Sequence, residues 1–308
     1  MNNIVLFLRA IRPLNLCFIA LTQYLVRYVL ILPVYEEIYQ LTGMYPLNIS
    51  ELYFFLLVFS TMMIAAVGYI LNDALDAKID SINKPGKKSI TTIISRTTAI
   101  NIFLITGTAA ILIAFFLAES VANLWLGGIQ VAAVTLLALY SSHLKKIILL
   151  GNVAIALLSA MVPLLAGLYE PSIYDNFDYI YIYAGFAFLI SLIREIAKDA
   201  EDEEGDSAAG RNTIPVVLGR STTKVVLSIL TFVTAVAGGK VLVHYFYGYD
   251  MVRFWKIFSC FEILLAALFV MVILAREKKD FSHISAFSKL IMLIGILSLI
   301  PLYYFIIN

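Results

Sequence analysis

Two groups of aspartates carry a spacing that could do chemistry. Each group has its members at positions i, i+3 and i+7, and the two are Asp73, Asp76 and Asp80, and Asp199, Asp202 and Asp206. On a helix that turns about 100° per residue, this spacing keeps three carboxylates within about 60° of one face. Carboxylates so placed repel one another unless a cation lies between them. Two groups of identical spacing, each just past an apolar segment, predict two walls of one metal site.

The types of ligand narrow the choice of metal. Oxygen ligands without cysteine or clustered histidine favour Mg²⁺ or Mn²⁺ over zinc or copper. Magnesium usually keeps waters and takes phosphate oxygens from a substrate, so a diphosphate that bridges both groups is the expected ligand. Charge runs are more often solvated helix ends than sites, but the matched repetition favours a site. Basic residues near the same surface would balance a diphosphate: Lys84, Lys87, Lys88, Lys145, Lys146, Arg194 and Lys198.

The elements that must position these residues are membrane helices. Of 308 residues, 61% are hydrophobic and the mean hydropathy is +0.92, whereas soluble domains have roughly 45–50% apolar residues. Because backbone groups in lipid must be hydrogen-bonded internally, apolar spans of this length form helices. We therefore predict an all-α membrane protein in which nine helices surround a central cavity. The predicted spans are 14–34, 52–72, 98–118, 121–141, 147–169, 178–197, 224–247, 254–275 and 283–307.

The distribution of basic residues predicts the orientation. With the N-terminus in the cytoplasm, 17 of the 22 Lys and Arg residues fall on the cytoplasmic side, as the positive-inside rule requires. Both aspartate groups then face the cytoplasm, on two long loops, 74–97 and 198–223, that we expect to cap a single domain over 1–308. Arg27, near the outer end of the first span, is expected to snorkel to the interface. Glu262, inside the eighth span, has no obvious partner in the sequence.

Four stretches resemble one known family. The pattern N-D-x-x-D-x-x-x-D at 72–80, followed by I-N-K-P at 82–85, resembles the first signature of the UbiA superfamily of intramembrane prenyltransferases. The stretch Y-S-S-H-L-K-K at 140–146, with Gly151-Asn152, resembles the superfamily's Y-S-x-x-L-K stretch, and Arg12-Pro13-x-Asn15 is similar to its R-P-x-N entrance to the first helix. The acidic segment 194–206, with T-I-P at 213–215 and Gly219, is similar to the digeranylgeranylglyceryl phosphate synthase branch. The resemblance covers about residues 9–220.

This resemblance implies a Mg²⁺-dependent enzyme of the plasma (inner) membrane that transfers a prenyl chain from a prenyl diphosphate, such as geranylgeranyl diphosphate, to a lipid-like acceptor. The acceptor implied by the branch is a prenylglyceryl phosphate. Neither a nucleic acid nor an obligate protein partner is expected. The implied metal ligands are Asp73, Asp76, Asp80, Asp199, Asp202 and Asp206, of which Asp76 and Asp202, with Lys145, are the central catalytic residues. The implied diphosphate-binding residues are Asn15, Asn72, Tyr140, Lys145, Arg194 and Lys198, and the implied acceptor-binding residues are Lys84, Lys87 and Lys88.

The segment after the first acidic motif departs from the family pattern. Family members usually continue into R-P-I-P-S-G, whereas this chain has G-K-K-S-I-T-T at 86–92. An aromatic acceptor, as in quinone biosynthesis, therefore stays open. A transporter that uses the carboxylates as an ion path is a further alternative, although transporter sites tend to lie near the bilayer midplane on broken helices.

Overall fold

The structure, a computed structural model, describes residues 3–43, 49–83, 85–86, 88–170, 177–246 and 251–307. These ranges contain helices and no strand. The helices are α1 Asn3–Ile11, α2 Pro13–Leu25, a π-helical segment Val26–Ile31, α3 Leu32–Thr42, α4 Glu51–Asn83, a 3₁₀ turn Ile90–Thr92, α5 Arg96–Ser120, α6 Trp125–Ser142, a 3₁₀ turn Leu144–Lys146, α7 Leu150–Leu168, α8 Asp178–Glu201, α9 Glu203–Ala208, α10 Ile214–Phe246, α11 Met251–Leu274, α12 Lys278–Leu297 and α13 Leu299–Ile307.

Eight helical stretches in the described ranges are long and apolar enough to cross a membrane, which makes the chain an integral membrane protein. They are Pro13–Thr42, Glu51–Asn83, Arg96–Ser120, Trp125–Ser142, Leu150–Leu168, Asp178–Glu201, Ile214–Val241 and Lys278–Tyr303. The remaining predicted span, 254–275, coincides with α11, in which Ser259–Leu274 counts as a shorter apolar helix. The all-α fold is thus confirmed, while the number nine and the orientation stay predictions.

The chain divides into two compact units. The first comprises Met1–Leu144, Met161–Ile180 and Tyr303–Asn308, and the second comprises Lys145–Ala160 and Tyr181–Leu302. In the first unit, α4 packs against α1, α2, α5 and α6. At 33 residues and a rise of 1.5 Å per residue, α4 is about 50 Å long, so it extends beyond the thickness of the hydrocarbon core. Its last turns carry the first aspartate group.

The second unit has its own apolar core. Buried residues of α8, such as Ile193 and Ala197, pack there with Leu227 of α10, Leu268 of α11 and Ile284 of α12. Within this unit α10 contacts α11, and α11 contacts α12. The turns of α8 that precede the second aspartate group are therefore held by packing in this core.

Arg27 does not snorkel, and that expectation was wrong. The residue lies in the π-helical segment and is 0% exposed. Its guanidinium forms an ion pair of 3.1 Å with Glu170, which is also 0% exposed, and one of 2.9 Å with Glu51. It also donates to the carbonyl of Ile49 at 3.0 Å and lies 4.5 Å from the ring centre of Phe54. The partners come from two stretches of chain, residues 49–54 and Glu170, and they pair the guanidinium where it is buried.

Candidate active site

The first aspartate group lies on the final turns of α4, as its spacing predicted. Asp76 is 7% exposed, and Asp73 and Asp80 are half-buried. One oxygen of Asp73 accepts hydrogen bonds from the Ser89 hydroxyl at 2.9 Å and the Ile90 amide at 2.6 Å. The Ser89 hydroxyl also lies 3.0 Å from the backbone carbonyl of Asp73. Asp73 thus anchors the segment after Gly86, where the sequence departs from the family pattern.

Polar side chains from the start of α2 meet α4 one turn before Asp73. The Asn15 amide donates to the Tyr69 hydroxyl at 3.2 Å, and the Arg12 guanidinium lies over the Tyr69 ring at 4.8 Å from its centre. Asn72 and Tyr140 are half-buried. The structure therefore brings predicted residue Asn15 to the helix that carries the first aspartate group.

The second aspartate group lies where α8 ends and α9 begins. The side chain of Asp199 accepts a hydrogen bond of 2.7 Å from the Asn152 amide on α7. Asp202 lies between the two helices, and Asp206, 3% exposed on α9, pairs with Arg211 at 3.0 Å. Burial raises the pKa of Asp206 to about 6, because the neighbouring Arg211 only partly offsets the loss of water around the carboxylate. Asp199 and Asp206 therefore each have a defined partner that orients the carboxylate.

One buried glutamate organises the basic residues of this segment. Glu195 is 6% exposed and forms ion pairs with Arg194 and, at 3.8 Å, with Lys198. The three side chains together carry a net charge of +1. Lys145, in the 3₁₀ turn that precedes α7, is 9% exposed. These cations belong to the second unit, together with the second aspartate group.

The predicted acceptor-binding lysines are only partly described. Lys84 and Lys87 lie outside the described residues, and Lys88 is exposed. Among the side chains that the structure describes, no three His, Cys, Asp or Glu residues are arranged to hold a metal ion. The two aspartate groups belong to different compact units, and their sharing of one ion stays a prediction.

Several residues at these segments escaped the sequence prediction. Nothing in the sequence distinguishes Glu195 and Arg211 from the other charged residues near them, and Asn152 enters only as part of a family stretch. Tyr69 gave a signal that could have been used, because it lies four residues before Asp73 on the same face of α4. Ser89 gave none, since its contact with Asp73 depends on how the chain returns to α4.

Comparison with known proteins decides the family. Residues 41–297 match the UbiA prenyltransferase family. The chain belongs to this family. It is 32% identical to the digeranylgeranylglyceryl phosphate synthase of Sulfolobus acidocaldarius over 226 residues, 71% of this chain and 75% of that protein. It is 27% identical to the synthase of the same name from Methanosphaera stadtmanae over 231 residues, 75% of this chain and 80% of that protein.

Solved structures show that the fold is the family's. A digeranylgeranylglyceryl phosphate synthase structure superposes with a TM-score of 0.67 at 23% identity and covers 98% of this chain and 99% of its own. A UbiA homologue from Archaeoglobus fulgidus, bound to DMAPP and Mg²⁺, superposes with a TM-score of 0.61 at 17% identity and covers 96% of this chain and 99% of its own. The described residues are thus all-helical, as in these structures, and the family match makes the chain a membrane prenyltransferase.

Proposed function

We propose that this enzyme transfers a prenyl chain from a prenyl diphosphate to a prenylglyceryl phosphate, with Mg²⁺, and so makes an ether lipid. The observation that carries the proposal is the 32% identity, over 71% of the chain, to a digeranylgeranylglyceryl phosphate synthase. The local geometry supports it, because each aspartate group lies at a helix end beside oriented polar partners. The bound DMAPP and Mg²⁺ of the A. fulgidus homologue support the substrate class and the metal.

The chemistry of the side chains fits magnesium. The proposed ligands are all carboxylates, which Mg²⁺ prefers, and substrate phosphate oxygens would complete its coordination. When bound, the ion would neutralise negative charge on the leaving diphosphate. Hydrogen bonds from Asn152 to Asp199 and from Ser89 to Asp73 fix the orientation of two proposed ligands. The proposed ligands are Asp73, Asp76, Asp80, Asp199, Asp202 and Asp206.

The protein's cations would stabilise the charge that develops as the substrate bond breaks. Arg194, Lys198 and Lys145 are proposed to bind the diphosphate, as are the amides of Asn15 and Asn72 and the Tyr140 hydroxyl. The bond between the allylic carbon and the diphosphate oxygen breaks, and its electron pair leaves with the diphosphate. The acceptor hydroxyl oxygen then bonds to that carbon, and its proton is released to water or to the diphosphate. Lys84, Lys87 and Lys88 are proposed to bind the acceptor phosphate.

The orientation is part of the same proposal. The excess of basic residues on one side supports a cytoplasmic N-terminus and a cytoplasmic active site in the inner membrane. The soluble headgroup of each substrate would then reach the enzyme from the cytoplasm, while the prenyl chains stay in the bilayer. Labelling of single cysteines introduced beside Asp76 and Asp202, in sealed inverted vesicles, would test this orientation.

The decisive experiment offers two acceptors to the purified enzyme. Radiolabelled geranylgeranyl diphosphate is supplied with Mg²⁺ and either a prenylglyceryl phosphate or a hydroxybenzoate. We expect labelled ether lipid only, and a product from the aromatic acceptor alone would refute the assignment.

Replacement of Asp76 or Asp202 by alanine should abolish diphosphate release, whereas replacement of Asp178, at the opposite end of α8 from Asp202, should not. Unchanged release in both active-site variants would refute the roles of the acidic residues.

A further inference from the structure

The junction between α1 and α2 has a conformation that stability alone does not explain. Arg12 has φ 53° and ψ 64°, in the left-handed region, and precedes Pro13. Residues before proline disfavour helical conformations, and the left-handed region is strained for any residue other than glycine. Arg12 also occupies the N-cap position of α2 without a side-chain capping bond, where the helix dipole opposes a cation. A residue that is unfavourable in three ways needs another reason to be there.

The surrounding packing holds this junction in place. The helix end before Arg12 contributes Ala10 and Ile11 to an apolar cluster with Ile70 and Ala74 of α4. These α4 residues flank Tyr69 and Asp73 in the sequence. The backbone at Arg12 is therefore fixed against the turns of α4 that lead into the first aspartate group.

Tyr69 then fixes two polar side chains at once. Its ring lies under the Arg12 guanidinium at 4.8 Å, and its hydroxyl accepts the hydrogen bond from Asn15 at 3.2 Å. Arg12 forms no ion pair with any carboxylate in the described part of the chain, so its charge is not neutralised there. Tyr69 thus holds the Arg12 guanidinium and the Asn15 amide close to each other.

The position of Tyr69 on α4 relates this arrangement to the aspartates. At about 100° per residue, positions 69, 73, 76 and 80 lie within about 60° of one face. Tyr69 thus lies on the same face of α4 as the aspartates, one turn toward the middle of the membrane helix. The side chains that Tyr69 contacts therefore continue the face of α4 on which the aspartates would hold a diphosphate.

We propose that Tyr69 is a positioning residue that holds Arg12 and Asn15 toward the diphosphate of the prenyl substrate. The inference rests on the proposed function and extends it to two residues, Tyr69 and Arg12, that the sequence did not assign. Arg12 supplies a positive charge and a planar set of N–H donors suited to phosphate oxygens. Asn15 supplies an amide at a fixed orientation, and Tyr69 acts through both.

Binding of Mg²⁺ and inorganic pyrophosphate to the full-length protein in detergent tests this without requiring turnover. Calorimetry should show binding weakened about fivefold in Tyr69→Phe, which keeps the ring but loses the hydroxyl, a loss typical of one hydrogen bond. Tyr69→Leu should weaken it about 30-fold, since the cation–π contact is lost as well. Tyr53→Leu is the matched control, because Tyr53 also lies on α4 and makes an edge contact with Phe116. It should bind pyrophosphate as the unaltered protein does.

Further measurements separate the possible outcomes. In turnover assays, Tyr69→Leu should raise the KM for prenyl diphosphate, and Tyr69→Phe should raise it much less. If Tyr69→Leu does not fold, Arg12→Met replaces it and should weaken pyrophosphate binding by at least tenfold. The inference would be overturned if Tyr69→Leu bound pyrophosphate as tightly as the unaltered protein, or if Tyr53→Leu lost as much affinity. It would also be overturned if Tyr69→Leu weakened the binding of glycerol 1-phosphate, a probe for the acceptor phosphate, but not that of pyrophosphate. Absence of prenyl transfer by the unaltered protein, with the pyrophosphate results as expected, would refute the proposed function and leave the anion site standing.

Discussion

Replacement of Arg27 by methionine should destabilise the protein by an amount that the structure allows us to estimate. Arg27 and Glu170 are both 0% exposed and joined at 3.1 Å, and breaking a buried pair by removing one partner costs about 3–5 kcal/mol. The contact with Glu51 adds little, because the Glu51 side chain is 57% exposed and such pairs contribute about 0–1 kcal/mol. Tyr35 donates to the other oxygen of Glu170 at 2.9 Å, but a neutral donor does not cancel a buried charge. We therefore expect a loss of about 3–5 kcal/mol.

The assay is reversible unfolding in mixed detergent micelles, with the unfolding free energy compared between variants. Arg27→Met combined with Glu170→Gln should recover most of the loss, because the double variant no longer leaves a charge in an apolar site. Lys278→Met is the matched control. It breaks a pair with Glu204 that spans 3.9 Å between side chains 34% and 67% exposed, and it should cost less than about 1 kcal/mol. If Arg27→Met costs no more than this control, or if the double variant is no more stable than the single one, the reasoning is wrong.

Two further predictions concern the second aspartate group and the packing of the first unit. Asn152→Ala removes the 2.7 Å hydrogen bond to Asp199. It should raise the Mg²⁺ concentration needed for half-maximal diphosphate release roughly 10–100-fold, as is common for residues that orient a metal ligand. Ser159→Ala on the same helix should leave the Mg²⁺ titration of diphosphate release unchanged, and equal effects would contradict the orienting role. Gly127→Ala would place a methyl group 2.6 Å from the Phe115 ring and should lower the unfolding free energy by about 1–3 kcal/mol. Gly128→Ala, where nothing lies within 4 Å, should not lower it, and a loss there would show that helix packing is not the cause.

Features that depend on neighbours along one helix could be predicted from the sequence. Helical spans follow from apolar runs because lipid offers no partner for backbone groups. The shared face of the aspartates on α4 follows from the fixed turn of the helix, so the sequence alone places Asp76 and Asp80 on one face. The family motifs identified the enzyme class for the same reason, since each motif is a short local pattern.

Partners that are distant along the chain were decided only by the tertiary structure. Arg27 meets Glu170 across 143 residues of sequence, and that contact reverses the expectation that Arg27 lies at the interface. Asn152 meets Asp199 across 47 residues, and Tyr69 meets Asn15 across 54. Periodicity determines which face of a helix a residue occupies, but the opposing helix determines what it touches. In a membrane the cost of an unpaired charge is high, so these long-range partners decide which charged side chains can be buried.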